Sequence, residues 1–538
     1  MFNAEQYHFP SMRYCTYAGR GMVSTSQPLA AQAGLDMLKR GGNAIDAAVA
    51  AAACLTVVEP NNNGIGSDTF ALVWSGGKLH GLNASGPAPA AISLEKLAER
   101  GFKEMPAHGV VPVTVPGAPG AWAELSRRFG RLALTESLAP AIGYAEDGFN
   151  VATLAAEAWQ FHVDIYAASK VPEVRTWFET FADASGKAPR AGERFRLPHH
   201  AETLRRIAET GAAEFYVGMY ADRIDRFMRE HGGYLRKSDL AAFRPEWVEP
   251  ISVNYRGYDV WEIPPNGQGL VALMALNILK GFEFDSPYSP ETLHKQFEAM
   301  KLAYTDGKAY ITDSRMMKVK VEDLLSDAYA EERRRLIGSA AREPFVGKPQ
   351  KGGTVYVCTA DSEGNMVSLI QSNYMGFGSG VVIPGTGISL QNRGHNFSLD
   401  PSHDNCLQPG KRTFHTIIPS FLTRGGEAIG PFGMVGGFMQ PQGHVQMIMN
   451  TVDFGMNPQQ VLDAPRWQWM EKLAFQMESG LPEEAAIARE LIGRGHQLTS
   501  GCRPNGNFGR GNVIWRLPNG GGFAGASDFR SDGSVACW

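Results

Sequence analysis

The chain has 538 residues, 43% hydrophobic and 20% charged, which supplies a large apolar core and excludes wholesale disorder. Its formal net charge is -4 and no block of Lys or Arg interrupts it, so a phosphate-backbone or anionic-lipid surface is excluded and nucleic acid is not an expected partner. Six scattered cysteines (Cys15, Cys54, Cys358, Cys406, Cys502 and Cys537) form no CxxC or Cys/His pairing, so we read reduced thiols and neither a zinc site nor a disulfide framework.

The first residues, MFNAEQYHFPSMRY, lack the basic start, apolar stretch and small-residue cleavage site of a secretory signal, and a cytoplasmic protein is expected. GMVST then reads as a strand, followed by a helix from about Pro28 to Lys39, a Gly41-Gly42 stop and an Ala-rich helix from about Asn43. The apolar run Ala47 to Val58 falls short of the roughly 20 residues that a membrane span needs, so it predicts a buried helix and no membrane anchor. FALVW and KLHGLNA, separated by SGG, predict a hairpin. From about Glu136 to Ile337 the chain reads as helix-rich, with Ser289-Pro290-Glu291 capping ETLHKQFEAMKLAY. Glu343 to Gly353, EPFVGKPQKGG, loses apolar periodicity and reads as an exposed, mobile segment. Beyond it TVYVCTA, NMVSLIQSNY, GVVIP, HTIIPSFLT and FGMVGG read as strands, which makes the last third sheet-rich.

The chemical signal is the threonine that heads the first of these strands, directly after Gly352-Gly353. If the Gly353–Thr354 bond is cut, the new amino terminus carries a hydroxyl and, on the same residue, an amine that titrates near 7.7–8.0 and accepts the hydroxyl proton. Gly353 has no side chain to hinder attack on its carbonyl.

Several ordered motifs resemble the γ-glutamyltransferase family: GMVSTSQPLAAQAGLDMLKRGGNAIDAAVAAA, VVEPNNNGIGSD, PVTVPGAPGAW, EAMKLAYTD, TVYVCTADSEGNMVSL, FGSG, KRTFHTIIPS, Val435 to Gly437, DAPRW and SDFRSDG. The resemblance implies an α+β fold, the four-layer αββα sandwich of N-terminal-nucleophile hydrolases. It also implies cleavage between Gly353 and Thr354 into a helix-rich large subunit, 1–353, and a small catalytic subunit, 354–538, held as a heterodimer, with further dimerisation left open. Thr354 takes the place of the family's nucleophile, Ser372 its supporting hydroxyl, and Gly436 and Gly437 its oxyanion-stabilising glycines. Neither a metal nor an organic cofactor is implied.

The sequence departs from the transferases where they hold glutamate. Asn83-Ala84-Ser85-Gly86-Pro87-Ala88-Pro89 stands where the glutathione-processing members have Asn-Ala-Arg-Glu-x-Ala-Pro, so Ser85 replaces a carboxylate-binding arginine. Arg393 and Asn396, in QNRGHNF, replace an acceptor-bearing Gln and Asp, and His415-Thr416 replaces a pair of serines. A cation where a substrate ammonium would sit disfavours a γ-glutamyl group. GIGSD, LQNRGHNF, KRTFHTIIP and VGGFMQPQGH are similar to the acylase-like branch that includes oxamate amidohydrolase. The expectation is therefore a small amide substrate, oxamate first, with Arg393 as a bidentate carboxylate clamp and Asn396, His415, Thr416, Tyr374 and Ser85 around it. Asp68 and Asn373 are expected to line the same pocket. A glutathione hydrolase or γ-glutamyltransferase is the alternative, and an uncleaved, catalytically silent binding relative is a third.

Overall fold

The computed structural model describes residues 13–344 and 353–538. Two seven-stranded antiparallel sheets lie face to face. In the first the order is Ser534–Cys537, Gly21–Thr25, Gly353–Asp361, Met366–Tyr374, Asp68–Ser75, Lys78–Ala84 and Glu246–Val248. The second runs Thr16–Ala18, Phe523–Ser527, Arg510–Arg516, Glu427–Val435, Ser420–Arg424, Tyr258–Glu262 and Ile251–Tyr255.

Alternation along the strand Gly353–Asp361 shows how the layers arise. Val355 and Val357 point outward into a core shared with the helices Pro28–Lys39 and Ala44–Val58, whereas Tyr356, Cys358 and Ala360 point inward among Phe70, Ile370, Ile417, Ile418 and Ile514. On the far side the helices Gly269–Leu279, Pro290–Tyr310 and Gln440–Val452 pack on Val260, Leu422, Phe432 and Val513 of the second sheet. The result is an αββα sandwich.

The local chemistry follows the sequence. Gln27 caps Pro28–Lys39 by accepting from Leu29 N and Ala30 N, and Asn43 and Asp46 form a reciprocal capping box on Ala44–Val58. Every residue of the latter helix is buried, in keeping with its uniform apolarity, and no helix among the described residues is long and apolar enough to cross a membrane. Ser289 caps Pro290–Tyr310 by accepting from Thr292 N. Asp68–Ser75 and Lys78–Ala84 pair across Gly76-Gly77, both with positive φ as a tight hairpin turn requires.

Two expectations need correction. The stretch 136–337 is largely helical but contributes three strands, Glu246–Val248, Ile251–Tyr255 and Tyr258–Glu262, to the two large sheets, and Phe149–Asn150 pairs with Arg194–Phe195 in a small one. HTIIPSFLT is a strand only from Ser420; His415 to Pro419 is extended backbone that meets the loop before Gly269–Leu279 through a single bridge from His415 to Gly267. Most of the predicted mobile segment, residues 345–352, lies outside the described residues, as do residues 1–12. Both sheets draw strands from either side of the Gly353–Thr354 bond, so the segments 1–353 and 354–538 share one core.

Candidate active site

Thr354 sits at a break in the sheet. Gly353 pairs with Tyr374 and Val355 with Gln371, so the register shifts at Thr354 and sets it apart from the regular ladder. Such a bulge re-aims a side chain, and here the Thr354 hydroxyl donates to Ser372 Oγ at 3.1 Å while both residues are buried. Ser372 Oγ also accepts from Tyr374 N at 2.8 Å. Tyr374 carries a φ of +78°, a conformation that non-glycine residues adopt at a cost and that accumulates at functional sites.

Across the neighbouring strand Ser372 pairs in register with Asp68, and from Asp68 a buried polar cluster extends. Asp68 Oδ2 accepts from Arg393 Nε at 3.3 Å and from His415 Nε2 at 2.9 Å. Ile417 N donates to His415 Nδ1 at 3.3 Å, which places the imidazole proton on Nε2. Burial, seconded by the Arg393 charge, pulls the His415 pKa down to about 4, so the ring is neutral at pH 7. Arg393 Nη1 donates to Thr416 Oγ1 at 2.8 Å, and the guanidinium lies 4.5 Å from the centre of the Tyr374 ring. Burial pushes the Tyr374 phenol up to about 12 against the pull of that guanidinium. Among the described residues three buried atoms of the cluster have no hydrogen-bond partner: Arg393 Nη2, a donor, Asp68 Oδ1, an acceptor, and the Tyr374 hydroxyl.

This geometry corrects two expectations about Arg393. Its fork is not free for bidentate work, because Asp68 and Thr416 hold two of its nitrogens and leave Nη2. Nor does it present an unopposed cation to a substrate ammonium, because Asp68 stands 3.3 Å away. Ser85 is buried in an amide cluster, donating to Asn83 Oδ1 at 2.7 Å beside Asn266, whose carbonyl accepts from His415 N at 2.9 Å, while Arg412 donates to the Ser85 carbonyl at 2.9 Å and pairs with Glu246. Asn396 is half-buried and donates to Phe414 O at 3.2 Å. Asn373 turns the other way, accepting from Ser67 Oγ at 2.8 Å.

Gly436 and Gly437 follow the strand Glu427–Val435, with φ of +132° and +59°. A Cβ at Gly436 would stand 3.2 Å from Gly509 Cα, so backbone approach and backbone angle both require glycine. One residue ties this turn to the polar cluster. Gln268 Nε2 donates to Gly437 O at 2.8 Å and to Thr416 O at 2.6 Å, and Thr416 in turn holds Arg393. On the other flank Val435 pairs with Arg510, whose guanidinium meets Glu59, and three residues on Asn62 O accepts from Asn373 N, next to Ser372. Sequence reasoning missed Gln268; in PPNGQG it precedes a wholly buried helix, and nothing in that pattern distinguishes it from a loop residue.

Among the described residues one group of metal-type ligands lies close together, His294, Glu298 and His496. Within it His294 Nδ1 and His496 Nε2 share a hydrogen bond of 2.8 Å and Glu298 pairs with Lys301. It takes no part in the site around Thr354.

The chain is similar to known proteins along most of its length. A family profile described as Gamma-glutamyltranspeptidase matches residues 30–538. The fold superposes with a TM-score of 0.96 on a crystal structure of cephalosporin acylase from Bacillus halodurans, 59% identical and covering 100% of this chain and 99% of that one. The oxamate amidohydrolase proenzyme of Klebsiella pneumoniae is 36% identical over 96% of this chain and 98% of its own length. The glutathione hydrolase-like YwrD proenzyme of Bacillus subtilis is 39% identical over 83% and 85%. With that match along the length of an αββα sandwich, the chain belongs to the gamma-glutamyltranspeptidase family and is an amide hydrolase of the N-terminal-nucleophile type.

Proposed function

We propose that Thr354 is the nucleophile of this hydrolase, first against its own chain and then against a substrate amide. The observation that carries the reading is the Thr354 hydroxyl, displaced from the ladder at a register break and held 3.1 Å from Ser372 Oγ. In maturation Thr354 Oγ1 attacks the Gly353 carbonyl, the C–N bond breaks to leave an ester, and water opens the ester to give a Gly353 carboxylate and a Thr354 amine. That amine then takes the hydroxyl proton during attack on substrate, the leaving amine departs protonated, and water hydrolyses the acyl-enzyme. The Gly436-Gly437 turn supplies backbone N–H groups for the oxyanion, a contribution of about 2.7–4 kcal/mol per donor in measured cases. The fragments 1–353 and 354–538 remain together because their strands share both sheets. Six cysteines without a disulfide accord with a cytoplasmic setting.

For the acyl group, the open Arg393 Nη2 favours an acceptor, and a carboxylate is the strongest. Oxamate, with amide and carboxylate adjacent, is the smallest substrate of that kind. A second reading, a γ-glutamyl amide, gains support from the Asp68 Oδ1 atom, which offers an ammonium the acceptor that Arg393 alone would deny it. Steady-state kinetics of the cut enzyme on oxamate and on γ-glutamyl-4-nitroanilide separate these readings. A larger kcat/KM on oxamate supports the first, and a larger one on the anilide replaces it with the second.

A further inference from the structure

Beside Phe438, the residue after the Gly436-Gly437 turn, a lysine stands among aromatic rings. Lys308, in the last turn of the helix Pro290–Tyr310, holds its ammonium 5.8 Å from the Tyr304 ring centre, 5.5 Å from that of Phe438 and 5.3 Å from that of Trp469. Burial of the ammonium pulls its pKa down to about 7, with the Glu471 charge opposing. Phe438 immediately follows Gly437 in the chain, and Tyr304 donates its hydroxyl to Phe438 O. The same hydroxyl lies 3.4 Å from Gln268 Oε1, on the residue that holds Gly437 O. The lysine, its rings and the oxyanion turn are thus fixed to one another. From Phe438 the apolar floor continues to Phe414, ring centres 5.9 Å apart, and Phe414 lies two residues before Thr416.

The two ends of the site differ in exposure. Arg393 is fully buried, whereas Phe438 and Lys308 are partly exposed. An amide carbonyl seated at the Gly436-Gly437 turn carries its acyl group on one side and its leaving amine on the other. The closed end at Arg393 suits the acyl group, and the leaving amine then points outward across Phe438. We propose that Lys308, with Tyr304, Phe438 and Trp469, forms the subsite for the leaving amine and selects amines that carry a carboxylate on an apolar or flat body. The rings take the body, and the ammonium takes the carboxylate in a partly desolvated setting where a charge-assisted hydrogen bond is strong. This rests on the amide-hydrolase reading and extends it. Ammonia, the leaving group of oxamate, would leave the subsite unused.

The test compares two leaving amines, phenylalanine and phenylalaninamide, each as its oxalyl and its γ-glutamyl derivative, on the cut wild-type enzyme and on cut Lys308→Met and Lys308→Arg. Wild type should prefer the phenylalanine derivative by at least about 10-fold in kcat/KM, the scale of one hydrogen bond to a charged group. The preference should fall to near one in Lys308→Met and persist in part in Lys308→Arg. Because the readout is a ratio on a single variant, a loss common to both substrates cancels. Turnover by wild type without the preference, or a preference unchanged in Lys308→Met, overturns the subsite alone. No turnover of any member by correctly cut wild type overturns the amide-hydrolase reading and the subsite with it.

Discussion

Ser372 stands in register across from Asp68 on adjacent antiparallel strands, so one strand pair carries both the hydroxyl that holds Thr354 and the carboxylate that holds Arg393 and His415. The nucleophile and the acyl-binding cluster are therefore positioned by a single piece of sheet, and disturbing one should be felt at the other.

Asp68→Asn removes the only counter-charge that touches the buried Arg393 among the described residues. Breaking a buried pair from one side costs about 3–5 kcal/mol, because the remaining charge is left desolvated and unpaired. In a Thr354→Ala background, which keeps every sample uncut, Asp68→Asn should lower the thermal midpoint, and the double change Asp68→Leu with Arg393→Met should recover most of the loss. Scanning calorimetry of the three proteins checks this; equal midpoints for the parent and Asp68→Asn would show that the pair does not stabilise the fold.

Ser372→Ala deletes the acceptor of the Thr354 hydroxyl while leaving the strand intact. A neutral hydrogen bond is worth about 0.5–1.5 kcal/mol net, so cleavage and kcat should both slow by roughly 2- to 10-fold. Ser372→Thr, which keeps the oxygen, should restore most of both. Time courses on denaturing gels and steady-state kinetics read the two rates, and a Thr variant no better than the Ala variant would contradict the role.

Gly436→Ala introduces a side chain at a φ of +132° and 3.2 Å from Gly509 Cα. The turn must shift, taking with it the N–H groups assigned to the oxyanion, and loss of one such donor lowers kcat by about 10²–10³. Stopped assays on the cut variant should show that fall in kcat with a smaller change in KM. A normal kcat would remove the turn from the mechanism.

Much of the fold was legible because its elements are locally determined. Asn43 and Asp46 announce the start of Ala44–Val58, and Gly76-Gly77 between two apolar runs announces a hairpin. The three strands from Glu246 to Glu262 were hidden within a helix-rich stretch, since each has five residues or fewer and gains its stability from sheets built with distant chain. In the site, Thr354, Ser372 and the glycine turn were readable as motifs. The engagement of Arg393 was not, because Asp68 lies 325 residues away and no local pattern links them. Lys308 gave no signal either: in a helical stretch a lysine is ordinarily solvated, and only the fold brings Phe438 and Trp469 to it.

Two buried histidines contribute to the fall of stability in acid. Burial lowers the pKa of His415 to about 4 and that of His200 to about 3, both from the usual 6.5, so in the folded state each stays neutral while in the unfolded chain each protonates near 6.5. Between those limits the unfolded state binds more protons, and stability rises with pH. The contribution is complete above about pH 6.5 and is lost as pH falls toward 4 for His415 and 3 for His200. His200, whose ring nitrogens have no hydrogen-bond partner among the described residues and which packs edge-on to Phe181, is the cleaner probe. His200→Leu should flatten the fall of the thermal midpoint between pH 6.5 and 4; an unchanged slope would contradict the assignment.

The central claim is that the chain cuts itself before Thr354 and that this residue then does the chemistry. Amino-terminal sequencing and intact mass of the smaller fragment from active enzyme test it most directly. The account predicts a fragment of 185 residues that begins Thr354-Val355-Tyr356, and a Thr354→Ala protein that stays in one piece and is inactive. Active enzyme with an intact Gly353–Thr354 bond, or a smaller fragment beginning at any other residue, would contradict it.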